Sequence, residues 1–142
     1  MNTRLLEILA DSFPKILIPG LTVTIPLTAI SFSLAMVIAV AMALVQFARV
    51  PVLTQLCRFY IWVFRGTPLL VQLFTVFFGM PKMGIRIDPF PAAVIVFSLN
   101  EGAYCAETVR AALESVPAGQ LEAGYCAGMT WMQTMRRIIL PQ

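Results

Sequence analysis

Histidine is absent from the 142 residues, and charge is scarce: Lys and Arg number 10, Asp and Glu 7, together 12% of the chain. Without imidazole, His-based acid–base catalysis and His-containing zinc sites cannot be built from this chain alone. The three cysteines, Cys57, Cys105 and Cys126, lie far apart in apolar company with no metal-ligand spacing, and they read as small hydrophobes. A Gly-rich loop ending in Lys-Ser or Lys-Thr is missing, so nucleotide is expected to be bound elsewhere. Paired catalytic carboxylates and a serine nucleophile motif are missing as well, which leaves a membrane-embedded enzyme without support. The net charge of +3 is scattered along the sequence, unlike a nucleic-acid footprint.

What the chain has in abundance is apolar surface, at 59% of residues. Soluble domains run at about 45 to 50% apolar and about 25% charged, so lipid is the natural solvent here. Disorder is excluded by the same figures.

The longest uncharged run covers 33 positions, Ile16 to Ala48. As a helix it would extend about 50 Å, against a hydrocarbon core of about 30 Å. It therefore spans once, at about residues 21–46, with Pro19 and Gly20 at the interface and Pro26 early enough to kink the helix without ending it. Ala41-Met42-Ala43 imitates a signal-peptide cleavage site, but the apolar region far exceeds a signal core of about 7 to 15 residues, and Glu7 and Asp11 spoil the basic leader. A second span is expected at about residues 59–79, from the aromatic approach at Phe59 to the break at Gly79-Met80-Pro81, with Arg65 snorkelling to the headgroups. Lys82 to Asp88 reads as a polar loop. A third span is expected at about residues 90–109 and carries Glu101 and Glu107. A carboxyl near the bilayer centre costs about 2.5 to 3.5 kcal/mol, which the apolar run from Phe90 offsets.

Basic residues set the orientation. Arg4, Lys15, Lys82 and Arg86 fall on one side of the three spans; Arg49, Arg58, Arg65, Arg110, Arg136 and Arg137 fall on the other. The positive-inside rule places the larger set in the cytoplasm and the N-terminus outside.

After the third span the composition changes at Glu114-Ser115-Val116-Pro117. Residues 120–127 suit a short helix, Gly128 stands where a left-handed residue would end it, and Thr130 with Gln133 has the spacing of a capping box opening a second helix. Arg136 and Arg137 suit its last turns, and Pro141 stops it. Leu121 and Tyr125 share one face, which fits either an element resting on lipid or a knob offered to a soluble partner.

Glu122-Ala123-Gly124, Gly128 and Ile138-x-Leu140-Pro141 stand at the spacing of the EAA loop of ABC-transporter permeases, which the segment at about 117–141 resembles. Gly124 stands where that pattern usually has Ala. Arg65-Gly66-Thr67-Pro68-Leu69-Leu70-Val71-Gln72 and Gly102 to Arg110 are similar to stretches of the polar amino acid permeases of the histidine, glutamine, arginine and opine type. The resemblance runs from Gly20 to Gln142. It implies an all-α, polytopic partial permease fold, with three transmembrane helices and a cytoplasmic helix-Gly-helix coupling loop, in the bacterial inner membrane.

The resemblance further implies partners: ABC ATPase subunits that hold ATP and Mg, a second permease subunit identical or paralogous, an extracytoplasmic solute-binding protein and an amino-acid substrate. The chain itself would bind no cofactor. Relatives continue past the Leu-Pro-Gln of this loop, so the chain is expected to be an incomplete permease. Asn100, Glu101 and Tyr104 are the candidate substrate path, because Glu101 falls near the bilayer midplane; the other reading is a carboxyl bonded to a neighbouring helix or subunit. Arg65, Gly66, Thr67 and Pro68 read as interface anchor and kink, or as pathway lining. Glu107 and Arg110 are expected to pair on one helix face. A different class of function, a membrane anchor that recruits a soluble partner, would leave the glycine corner without a role.

Overall fold

The computed structural model describes residues 3–142, and their regular structure is helical throughout. The chain opens with α1 (Thr3–Pro19), passes through a π-helical turn at Gly20–Thr24 and continues as α2 (Ile25–Phe47). This helix starts well before the expected boundary at residue 21. Its apolar stretch Glu7–Phe47 is 41 residues long, about 60 Å at 1.5 Å per residue, and only part of it fits inside a bilayer. The expected kink at Pro26 is absorbed one turn upstream. Proline lacks the N–H that would bond residue 22, and the widened turn re-routes the ladder, with Ile25 N–H donating to the Gly20 carbonyl five residues back. Arg49, at φ 53°, reverses the chain after α2.

The second expected span is not one helix. It divides into α3 (Pro51–Gly66) and a second limb made of α4 (Leu69–Phe74), a π turn at Thr75–Gly79 and α5 (Met80–Lys82), and the two limbs meet at 99°. Thr67 and Pro68 at the junction are both extended. Proline disfavours helical backbone in the residue before it, so what the sequence suggests as a kink becomes a complete break. By length and composition, Glu7–Phe47 is able to cross a membrane, and the bent pair is also if its limbs are counted together. The loop after α5 turns at Gly84, as its glycine suggests.

Helix α6 (Pro89–Ser115) has 27 residues and runs past the expected end at 109. Its length, about 40 Å, exceeds the hydrocarbon thickness. Its main partner is α2, and the contact is made of small residues. Ser31, Ala35, Ala39 and Ala43 recur every four positions on α2 and are buried, as are Ser98, Gly102, Ala103 and Ala106 of α6; Ala39 packs with Ala103 and Ala106, Ala43 with Leu113, and Gly102 lies against Ile38. In lipid, apolar contact alone gives helices no preference for each other, so close approach over small side chains supplies the packing. On the far side Ile61 of α3 joins this core, and the Tyr60 hydroxyl donates to the Leu99 carbonyl. The chain ends in α7 (Ala118–Cys126), α8 (Trp131–Thr134) and a π turn at Met135–Ile139.

Candidate functional site

Two places gather the residues singled out by sequence. The first is the corner between α7 and α8. Gly128 is left-handed, at φ 75°, and two hydrogen bonds close the helix end around it: Gly128 N–H to the Tyr125 carbonyl at 2.9 Å and Met129 N–H to the Gly124 carbonyl at 3.0 Å. This is the glycine-terminated helix end expected at residue 128. Two residues later the capping box forms in full. Gln133 N–H donates to the Thr130 side chain, and Thr130 N–H donates to Gln133 Oε1. Four backbone N–H groups are thus satisfied within a few residues, which makes the corner stiff.

The hairpin packs beneath the end of α2. Met135 and Ile139 are buried with Ala43 and Leu113, and Leu121, Trp131 and Ile138 close around them. Glu122, Ala123 and Tyr125 remain exposed, as do Leu140 and Pro141. Beside this contact a cavity of about 630 Å³ lies between the hairpin and the end of α2, lined by Phe47, Val116, Leu121, Tyr125 and Trp131 among others. The expected shared face of Leu121 and Tyr125 therefore borders this cavity. Gly124 is buried, and a side chain there would collide with Thr134.

The second place is the 99° break. Breaking a helix frees carbonyls, and here side chains take them up. Thr67 Oγ1 donates to the Val63 carbonyl at 2.9 Å. Gln72 Nε2 lies 3.0 Å from the Phe64 carbonyl, 3.1 Å from the Thr67 carbonyl and 2.8 Å from Thr67 Oγ1. Asn100 Nδ2 reaches from α6 to the same Phe64 carbonyl at 3.2 Å and to Gln72 Oε1 at 3.3 Å. Gln72 and Phe64 are the members that sequence reasoning missed. Gln72 was visible as a lone amide in an apolar run, but its partners come from three segments.

Glu101 stands one residue beyond this knot and faces elsewhere. It is exposed, accepts a weak hydrogen bond from Cys105 Sγ at 3.3 Å and forms no ion pair among the described residues. Its cavity, about 350 Å³, is lined by the apolar Leu27, Phe32, Leu69 and Phe97 and, besides Glu101, by the polar Thr24, Thr28, Ser31 and Asn100. Ser31 Oγ is buried there without a hydrogen-bond partner. Tyr104 does not join Glu101: its ring lies under the Arg65 guanidinium, 5.2 Å from the ring centroid. The three candidate path residues thus divide, Asn100 bridging knot and cavity, Glu101 facing the cavity, Tyr104 paired with Arg65. Gly66 and Pro68 are exposed at the break itself. Glu107 pairs with Arg110 as expected, and Arg110 also bonds Glu114 at 2.6 Å.

Alongside the broken helix, the carboxylate midway along α6 and the stiff hairpin, residues 35–142 match the family described as binding-protein-dependent transport system inner membrane component. The chain belongs to that family. It is 48% identical over 136 residues to the L-cystine transport system permease protein TcyB of Bacillus subtilis (strain 168), covering 96% of this chain and 58% of that protein. Against the arginine transport system permease protein ArtQ of the same organism the identity is 35%, over 89% of this chain and 58% of ArtQ. The putative glutamine transport system permease protein GlnP of Rickettsia prowazekii (strain Madrid E) is 40% identical, over 97% and 65%. A crystal structure of an amino acid ABC transporter with histidines superimposes with a TM-score of 0.83 at 34% identity, covering all of this chain and 65% of that one. The fold is that of an amino acid ABC transporter permease, and the chain spans less than two thirds of the length of these relatives.

Proposed function

We propose that this chain is the membrane-spanning permease part of an ATP-driven importer of polar amino acids. Its three hydrophobic segments cross the inner membrane, the second as a broken span, with the N-terminus outside and the α7–α8 hairpin in the cytoplasm. ATPase subunits holding ATP and Mg dock on the hairpin, a second permease subunit completes the path, and an extracytoplasmic binding protein delivers the amino acid. The observation that carries this reading is the Glu101 carboxylate, facing a cavity midway along α6 with no ion-pair partner among the described residues. A charge at that depth is costly unless a ligand compensates it, and the ammonium or cationic side chain of an amino acid does so. A bare membrane anchor needs neither that carboxylate nor a rigid corner.

Coupling follows from stiffness. Glu122, Ala123 and Tyr125 belong to the exposed surface of α7, and Gly128 ends that helix without slack. A rigid-body push on such an element is passed to α2 and α6 through Met135, Ile139 and Leu113 rather than absorbed. Gly128→Asp places a side chain on a left-handed backbone, at a cost of about 1 kcal/mol. In the reconstituted transporter it is expected to insert normally while ATP hydrolysis no longer drives uptake. Uptake equal to the parent's would refute this assignment.

A further inference from the structure

Gly124 sits inside α7, where glycine weakens a helix by about 1 kcal/mol relative to alanine. Unlike Gly128, its backbone does not need positive φ. What requires it is space. A Cβ at residue 124 would lie 2.5 Å from Thr134 Cγ2, 2.6 Å from Thr134 Oγ1 and 3.1 Å from Thr134 Cβ. Thr134 is fully buried, and its hydroxyl donates to the Thr130 carbonyl at 3.2 Å. Rotation about χ1 gives no relief. Both heavy substituents of the threonine Cβ face Gly124, so each of the three staggered positions leaves at least one of them there.

We propose that Gly124 and Thr134 are a matched pair that sets how closely α7 lies on the following helix, and so positions the exposed Glu122–Tyr125 surface for the ATPase. Thr134 is the positioning residue: its two branches fill the volume a side chain at 124 would take, and its hydroxyl holds the branch orientation through Thr130, the residue that caps α8. The Schellman bonds around Gly128 fix the turn, and the 124–134 contact fixes the distance between the two arms. The pair bears on transport only if α7 is the coupling element, so the proposal rests on the function proposed above.

The test is a substitution cycle in the complete transporter in nanodiscs, read by hydrogen exchange at the Gly128, Met129 and Gln133 amides and by amino acid transported per ATP hydrolysed. Gly124→Ala is expected to speed exchange by about tenfold or more, since overpacking a closed contact opens the local structure. In a Thr134→Ala background, where only the 3.1 Å contact remains, Gly124→Ala should change exchange by less than about threefold. In a Thr134→Val background, which keeps both branches, the full effect should return. The transport ratio should fall and recover in the same order. Gly124→Ala without effect, or rescue by Val as good as rescue by Ala, overturns the proposal, as does an exchange cycle with an unmoved transport ratio. Should Gly124→Ala fail to accumulate in the membrane, recovery of yield by Thr134→Ala supports the pairing, and no recovery overturns it. Failure of the coupling role itself appears separately, as unimpaired uptake in Gly128→Asp.

Discussion

At the scale of single residues, charge in a dry place decides most. Glu101 has a cavity before it and no cation among the described residues beside it, whereas Glu107 is neutralised by Arg110, which Glu114 also engages. Only the first is available to a ligand. Glu101→Gln keeps the shape and removes the charge, and hydrogen bonds to charged groups contribute about 1.5 to 3 kcal/mol. Competition uptake assays should therefore show apparent affinity for cationic amino acids falling by about tenfold or more, with neutral ones affected less. An equal loss for both classes, accompanied by poor assembly, would point to a structural carboxyl instead.

At the scale of elements, the broken second span depends on a few amides. Gln72 serves three acceptor atoms at the break and accepts from Asn100 in return. Gln72→Leu preserves volume but removes the donor to the Thr67 carbonyl and one of the two to the Phe64 carbonyl, a loss of about 0.5 to 1.5 kcal/mol per hydrogen bond. A lowered melting temperature and faster exchange around residues 64–72 are expected, with the hairpin's exchange unchanged.

The same elements show what the sequence discloses. Gly128 and the Thr130–Gln133 box were legible because their chemistry is local: a left-handed residue, and a cap three residues from its acceptor. Pro68 announced a bend, but the side chains that hold the broken ends include Asn100, reaching Gln72 and Phe64 across 28 and 36 positions, which no local pattern contains. The Ser31-Ala35-Ala39-Ala43 stripe is present in the sequence but carries no polarity signal. In a chain this apolar, the inward and lipid faces differ in size rather than polarity, so hydrophobic periodicity has no contrast to display. Gly124 stands out in the sequence only as a departure from the usual Ala, and the space it leaves is set by Thr134, ten residues away.

At the scale of the whole molecule, the α2–α6 pair is the frame on which both sites hang. The cavity before Glu101 lies between these helices, and the hairpin packs where their ends meet Leu113 and Ala43. One rigid pair thus joins the proposed substrate path to the proposed ATPase seat. Large apolar side chains, among them Val37, Phe59 and Trp62, point outward, the surface expected of a component that meets lipid and other subunits. Membrane-impermeant maleimide should modify the exposed Cys126 from the cytoplasmic side alone.

The central claim is that the α7 surface is where ATP hydrolysis enters this molecule. Cys126 lies in the last turn of α7 and is exposed, which gives a native handle for cross-linking. In the reconstituted transporter carrying Cys57→Ser and Cys105→Ser, a short thiol-directed photo-cross-linker on Cys126 should join this chain to the ATPase subunit. A cross-link to the ATPase whose yield changes with nucleotide is the predicted result; a Cys126 that reacts only from the extracytoplasmic side, or never reaches the ATPase in any nucleotide state, contradicts it.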